Sequence, residues 1–183
     1  AFEEVMNDKK WTEQYAEEDA VILLYTKDMV YDKNRELTVR QKFLVKIQNE
    51  AGVRQWTEAS LGFLGNLQMV KLIKPDGAEV SPERSWGQVV FKDLAPGDII
   101  QAVGTAEQKP QEVIDDAWTH LSYFGWENTA IYKTKIELVI PQEQYFDYEC
   151  HKVPCESEKK SIGDYYSYKW AITDMPKPKY EPG

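Results

Sequence analysis

Between Leu37 and Ile47 the side chains alternate: Leu37, Val39, Phe43, Val45 and Ile47 share one parity, while Thr38, Arg40, Lys42 and Lys46 hold the other. Successive side chains of an extended chain point to opposite faces, so this segment is a long strand with one dry face and one wet face. The same period returns at 131–140, where Tyr132, Thr134, Ile136, Leu138 and Ile140 oppose Lys133, Lys135 and Glu137. It returns again at 165–173, with Tyr166, Tyr168, Trp170 and Ile172 aligned. A helix would instead bury residues three and four apart, so these stretches commit the chain to β-structure.

Shorter runs at 20–25, 67–73, 88–91, 99–105, 119–126 and 145–149 read as further strands. Residues 53–64 read as the return strand of a hairpin that turns at Asn49-Glu50-Ala51-Gly52. Lys74-Pro75-Asp76-Gly77 and Leu94-Ala95-Pro96-Gly97-Asp98 are turn signals, because Pro presets φ and Gly accepts positive φ. Residues 107–116 are polar and read as a long loop.

Phe2, Val5, Met6, Trp11 and Tyr15 follow a spacing of three and four, which predicts a short helical lead-in over 1–18. The segment 19–174 is then an all-β domain, expected to be an antiparallel β-sandwich of immunoglobulin-like or related type. The basis is that no helices stand between the strands to carry parallel crossovers. Residues 175–183 hold Pro176, Pro178 and Pro182 and read as a linker to a further domain.

With 183 residues, 42% hydrophobic and 13% aromatic, the chain can bury a core of its own. The net charge of −9 and the lack of a Lys/Arg cluster argue against nucleic acid and anionic membrane surfaces as partners. No apolar run approaches the roughly 20 residues a spanning helix needs, so no membrane insertion is expected. The chain opens on Ala1 rather than Met, as a processed or engineered fragment would.

A cysteine nucleophile needs a base beside it, and Cys150, Cys155, His120 and His151 are the available groups. His151 adjoins Cys150 and points the other way in an extended segment, which argues against a dyad. Cys150, His151 and Cys155 form one short group rather than the paired groups of a structural zinc site. A disulfide between Cys150 and Cys155 and a pair of free thiols both stay open. Asp115-Asp116 and Glu156-Ser157-Glu158 read as solvated carboxylates, and Asp32-Lys33-Asn34 as an ordinary turn. The sequence therefore calls for no catalytic residues, no metal and no cofactor.

Aromatic side chains are the feature suited to specific binding. Trp86, Trp118, Tyr123 and Trp126 fall in or beside predicted loops and are the candidate ligand-binding aromatics, suited to stacking on sugar rings. Trp56 and Trp170 fall on strand parity with apolar neighbours and read as core.

Five segments, in order, resemble a bacterial family of unknown function found just N-terminal to transglutaminase-like cores in envelope proteins. Trp11, Tyr15 and Asp19-Ala20-Val21-Ile22-Leu23-Leu24 are similar to its opening. Val45-Lys46-Ile47-Gln48-Asn49-Glu50-Ala51-Gly52 is similar to its hairpin, and Ile73-Lys74-Pro75-Asp76-Gly77 to its strand-to-turn segment. Residues 91–100, with the Pro96-Gly97-Asp98 turn, resemble its most recognisable stretch. Tyr168-Lys169-Trp170-Ala171 and the Pro-rich end look like its last strand and junction. Residues 15–19 lack the proline usual before its first strand.

The resemblance covers about residues 11–183 and implies a β-sandwich, an exported (periplasmic or extracellular) location, and a transglutaminase-like domain downstream in the same polypeptide as partner. It implies a non-catalytic accessory role, packing beside that core or presenting polysaccharide or protein substrate to it. The alternative is a glycan- or cell-wall-binding module built on the loop aromatics.

Overall fold

The structure, a computed structural model, describes residues 2–85, 88–108, 122, 128–151, 153–154 and 156–175. Two short helices open the chain, α1 (Phe2–Asn7) and α2 (Lys10–Gln14), followed by strands β1 (Ala20–Tyr31) and β2 (Leu37–Ile47). Next come helix α3 (Glu50–Trp56), β3 (Glu58–Ala59), a 3₁₀ turn at Gly62–Leu64 and β4 (Asn66–Ile73). Three short strands follow, β5 (Glu79–Val80), β6 (Glu83–Ser85) and β7 (Gln88–Val90), then β8 (Ile99–Gln108). Beyond them lie β9 (Ala130–Pro141), β10 (Glu158–Ile162) and β11 (Tyr165–Met175).

The strands form an eight-stranded sheet, ordered β10-β11-β9-β1-β2-β8-β4-β5, and a three-stranded sheet, β3-β7-β6. The molecule is therefore mostly β. All pairs are antiparallel except β1 with β9, which run parallel from Val21 beside Ala130 to Val30 beside Val139. The expectation of a wholly antiparallel arrangement thus fails at the centre of the large sheet. Parallel neighbours need a long connection, not necessarily a helical one. Here that connection includes β2, β4 and β8 of the same sheet, so a parallel pair forms although the strands do not alternate with helices.

The alternation read from sequence matches the observed burial. Leu37, Val39, Phe43, Val45 and Ile47 are buried on β2, as are Tyr132, Thr134, Ile136, Leu138 and Ile140 on β9. One core cluster joins the two sheets: Ile22, Phe43, Val45, Val70 and Ile100 of the large sheet pack with Ala59 and Val89 of the small one. A second lies beneath the lead-in helices, where Val5, Trp11 and Tyr15 meet Val21, Leu23 and Tyr132. The lead-in is therefore part of the domain's core. A third gathers Met29, Tyr31, Val39, Ile136, Leu138 and Trp170.

Asn49-Glu50-Ala51-Gly52 starts a helix rather than turning a hairpin. Asn49 is extended (φ −148°), and its side-chain oxygen accepts from the backbone N–H of Ala51 at 2.9 Å and of Gly52 at 3.1 Å. Such capping satisfies donors that a helix start leaves orphaned. A Cβ on Gly52 would stand 2.1 Å from the Asp19 carbonyl oxygen, so glycine lets α3 press against the start of β1. The expected return strand at 53–64 gives way to α3, β3 and the 3₁₀ turn, and β2 pairs instead with β8.

Two further expectations change. Residues 145–149 form no strand, although Phe146 and Tyr148 pack against the third cluster. In the polar stretch after Cys155, β10 pairs with β11 through the Gly163-Asp164 turn. All residues of β10 are exposed, so the strand carries no hydrophobic alternation to read.

Candidate functional site

The candidate ligand-binding aromatics Trp86, Trp118, Tyr123 and Trp126 lie outside the described residues, as do His120, Asp115, Asp116 and Cys155. Cys150 is disulfide-bonded. His151 faces Glu149 at 3.6 Å with both side chains in solvent, in no arrangement that would activate a nucleophile. Asp32 accepts from the backbone N–H of Asn34 at 2.8 Å and of Glu36 at 2.9 Å, as in an ordinary Asx turn. Trp56 and Trp170 are both buried, Trp56 on α3 rather than on a strand.

Aromatic side chains that the described residues bring together lie on one face of the β10-β11-β9 end. Tyr166, Tyr168 and Trp170 stand side by side along β11, with Tyr168 and Trp170 nearly parallel at 6.2 Å. The segment after β9 lays Phe146 against Tyr168 at 5.1 Å and Tyr148 against Trp170 at 5.0 Å, edge-on. Lys159 of β10 reaches over this face, its ammonium 3.7 Å from the Tyr166 ring centre. A cation over a ring is held by the ring's quadrupole. Tyr166 and Tyr168 hold the Lys159 ammonium in its charged form above the usual lysine range, the hydrogen bond to Tyr168 being the largest cause. The face is half-buried, with Phe146 and Tyr148 covering much of the Trp170 indole.

Strand alternation places a charged row on the opposite face. Cross-strand register sets Arg40 beside Asp28, Asp28 beside Glu137, Glu137 beside Lys169 and Lys169 beside Glu158. Lys169 stands 3.5 Å from Glu137, which also accepts a 2.6 Å hydrogen bond from the buried Ser167 hydroxyl. Burial raises the Asp28 carboxyl above its ordinary range and Glu137 adds to the rise, while Lys42 and Arg40 oppose it. Along the row Arg40 and Lys169 are exposed, while Asp28 and Glu137 are half-buried.

Two recesses on the described surface hold about 100 and about 160 Å³. Small-molecule sites take roughly 300–1,000 Å³. The larger recess is lined by Gln55, Trp56, Glu58, Ala59 and Ser60.

One buried ionisable group interrupts the core face. Lys27 is 7% exposed, between Tyr25 and Met29 on β1 and in register with Gln41 and Ile136. Tyr25 donates to Gln41 Oε1 at 2.5 Å, and Gln41 Nε2 donates to the Phe63 carbonyl at 2.8 Å. Burial lowers the Lys27 ammonium from 10.5 to about 8 and pushes the Tyr25 phenol up to about 12.

Between those two lysine values the unfolded chain holds a proton that the folded chain has released, so stability rises with pH. Above pH 10 the unfolded chain gives up the Tyr25 proton first, and stability falls. Urea unfolding from pH 7 to 11 is expected to show greatest stability near pH 10, with Lys27 contributing at most about 1.4 kcal/mol per pH unit to the rise. Lys27→Met should flatten that rise. An unchanged profile in the variant would show that the lysine is not the cause.

No family model matches the sequence, and no curated protein matches it. The fold is similar to that of a protein from Parabacteroides distasonis ATCC 8503 whose crystal structure is described as a "putative protease". The TM-score is 0.71 at 12% sequence identity, over 89% of this chain and 37% of that one. The chain thus spans little more than a third of that neighbour.

Proposed function

We propose that this chain is a non-catalytic accessory β-sandwich domain, immunoglobulin-like or related, of an exported bacterial transglutaminase-like protein. In this reading it packs beside the enzymatic core or presents substrate to it. The observation that carries the reading is the structural match: the same fold makes up 37% of a longer neighbour, at a TM-score of 0.71. The ordered resemblance of residues 11–183 to the domain that precedes transglutaminase-like cores agrees with it. The core cluster shared by the two sheets supports the sandwich. The Cys150 disulfide suits an oxidising envelope compartment.

The test compares the whole parent polypeptide with a version lacking residues 1–175 in activity on protein and peptidoglycan-derived substrates. Loss of activity with the core still folded is the expected result. A core that works equally well without the domain, and does not bind it when the two are mixed, overturns the reading.

A glycan- or cell-wall-binding module is the second reading, and it rests on the aromatic residues Trp86, Trp118, Tyr123 and Trp126 that the sequence offers for stacking on sugar rings. Trp86→Ala, Trp118→Ala and Trp126→Ala are expected to abolish a saturable fluorescence response to soluble polysaccharides while unfolding curves stay unchanged. If these variants chiefly unfold the chain, the rings are core and this reading fails.

A further inference from the structure

We propose that the Cys150 disulfide is the clasp of an aromatic strap, so that a dithiol reductant uncovers the Tyr168 and Trp170 rings at the β11 end of the large sheet. The inference is independent of the accessory-domain reading. The strap is the connection from β9 to β10, in which no described residue joins a strand. Both of its ends are fixed. The Gln142 backbone N–H donates to the Asp164 carbonyl at 2.9 Å, and its side-chain amide donates to Ser161 Oγ at 2.8 Å and to the Gly163 carbonyl at 2.9 Å. These bonds tie the start of the strap to the β10-β11 turn, and Ser157 runs directly into β10.

Between those ends Phe146 and Tyr148 stack on each other at 5.7 Å and lie on the face, Phe146 against Tyr168 and Tyr148 against Trp170. The Tyr148 hydroxyl also shares a 2.8 Å hydrogen bond with Ser157 Oγ, across the strap. No strand ladder fixes these rings, so side-chain contacts and the tether of the chain hold the cover. Beneath it the Trp170 indole N–H is buried with no hydrogen-bond partner. A buried donor left unpaired carries a desolvation cost that water would relieve once Tyr148 lifts, which favours the opened strap.

The disulfide opposes that opening by shortening the tether. Cys150 is bonded, and Cys155 is the sequence's other cysteine. A bond within one chain therefore bypasses residues 151–154 on the way from Tyr148 to β10. Closing a loop costs entropy that grows with its length, so the shorter path keeps Tyr148 near Trp170 and Ser157. Cys150 is half-buried, while Glu149, His151, Pro154 and Glu156 about it are exposed, which leaves the bond open to a small reductant. A thiolate of the dithiol attacks one sulfur, and its second thiol then displaces the protein from the mixed disulfide. Two electrons pass to the protein, which ends with two cysteine thiols, and the dithiol ends as a cyclic disulfide. The tether is then longer by residues 151–154, and the cover loosens.

Hydrogen–deuterium exchange of the chain, oxidised and in excess dithiothreitol, tests the proposal. Reduction is expected to speed exchange at residues 145–157 by about tenfold, with β1, β2 and β8 unchanged. Acrylamide quenching of tryptophan emission should rise with it, and that rise should vanish in Trp170→Phe. Cys150→Ser combined with Cys155→Ser is expected to show the open pattern without reductant and to ignore the dithiol, which separates rupture of the bond from other effects of the reagent. Unchanged exchange at 145–157 after complete reduction, verified by the mass of the alkylated thiols, overturns the proposal. So does a loosening that spreads through β1, β2 and β8, which would make the bond a brace of the whole domain, or a rise in quenching that persists in Trp170→Phe.

Discussion

Phe43→Ala is expected to cost about 3–5 kcal/mol, the range for emptying a large aromatic site in a packed core. Phe43 is 1% exposed at the centre of β2, with the rings of Phe63, Trp56 and Tyr25 at 5.5, 5.7 and 6.4 Å. Three separate elements thus lean on one ring: β1, α3 and the 3₁₀ turn. α3 and β1 enter the core beside residues of the small sheet, so the loss reaches the contact between the sheets. Domains of this size hold about 5–15 kcal/mol in all, and a loss of this order lowers the melting temperature by roughly 10 °C. Thermal unfolding followed by circular dichroism measures it. A fall of only a degree or two would mean that the site collapses without a cavity and that the sheets are not joined through Phe43. Phe43→Leu, which keeps most of the volume, should be milder.

Lys74→Met is expected to destabilise by about 3 kcal/mol, because it removes the ammonium paired with a buried carboxylate and leaves it only the more distant Lys46. Asp98 is 1% exposed, and its Oδ2 accepts from Lys74 Nζ at 2.8 Å and from the Ala95 backbone N–H at 2.8 Å. Lys74 also donates to the Asp93 carbonyl. The two turn motifs visible in the sequence, Lys74-Pro75-Asp76-Gly77 and Leu94-Ala95-Pro96-Gly97-Asp98, are thereby one structural unit. Gly97 takes φ +95°, and a Cβ there would meet the Pro75 ring at 3.2 Å, so the turns touch as well as pair.

A double-mutant cycle separates the pair from its burial. Lys74→Met with Asp98→Leu should recover much of the loss, since an apolar pair in place of a buried ion pair is often neutral. Denaturant melts of the four proteins give the coupling. Strict additivity would show that the two groups act independently and that the contact contributes nothing of its own.

Where β-strands carry one dry face, the amino-acid order determines them without help. β2, β9 and β11 announce themselves through alternation, because the pleat sends every second side chain into a core. The Pro-Asp-Gly and Pro-Gly-Asp turns are equally local, since φ at proline and glycine is set by covalent geometry. Of the aromatic face, Tyr166, Tyr168 and Trp170 were visible as one parity of one strand, but Phe146 and Tyr148 joined them only through packing.

Asn49 shows the limit of local reading: the same residue serves a hairpin turn or a helix cap. Contact with Asp19, thirty residues earlier, accompanies the helical outcome, in which Asn49 Nδ2 donates to Asp19 at 2.9 Å. β10 was hidden for the opposite reason, as an edge strand that buries nothing leaves no pattern beyond the Gly163-Asp164 turn before β11.

Strand order lies furthest from the sequence. The parallel seating of β9 beside β1, and with it the row Arg40, Asp28, Glu137 and Lys169, depends on which dry faces meet once the chain has collapsed. Alternation specifies a face but not a neighbour. Tertiary packing chose the neighbour.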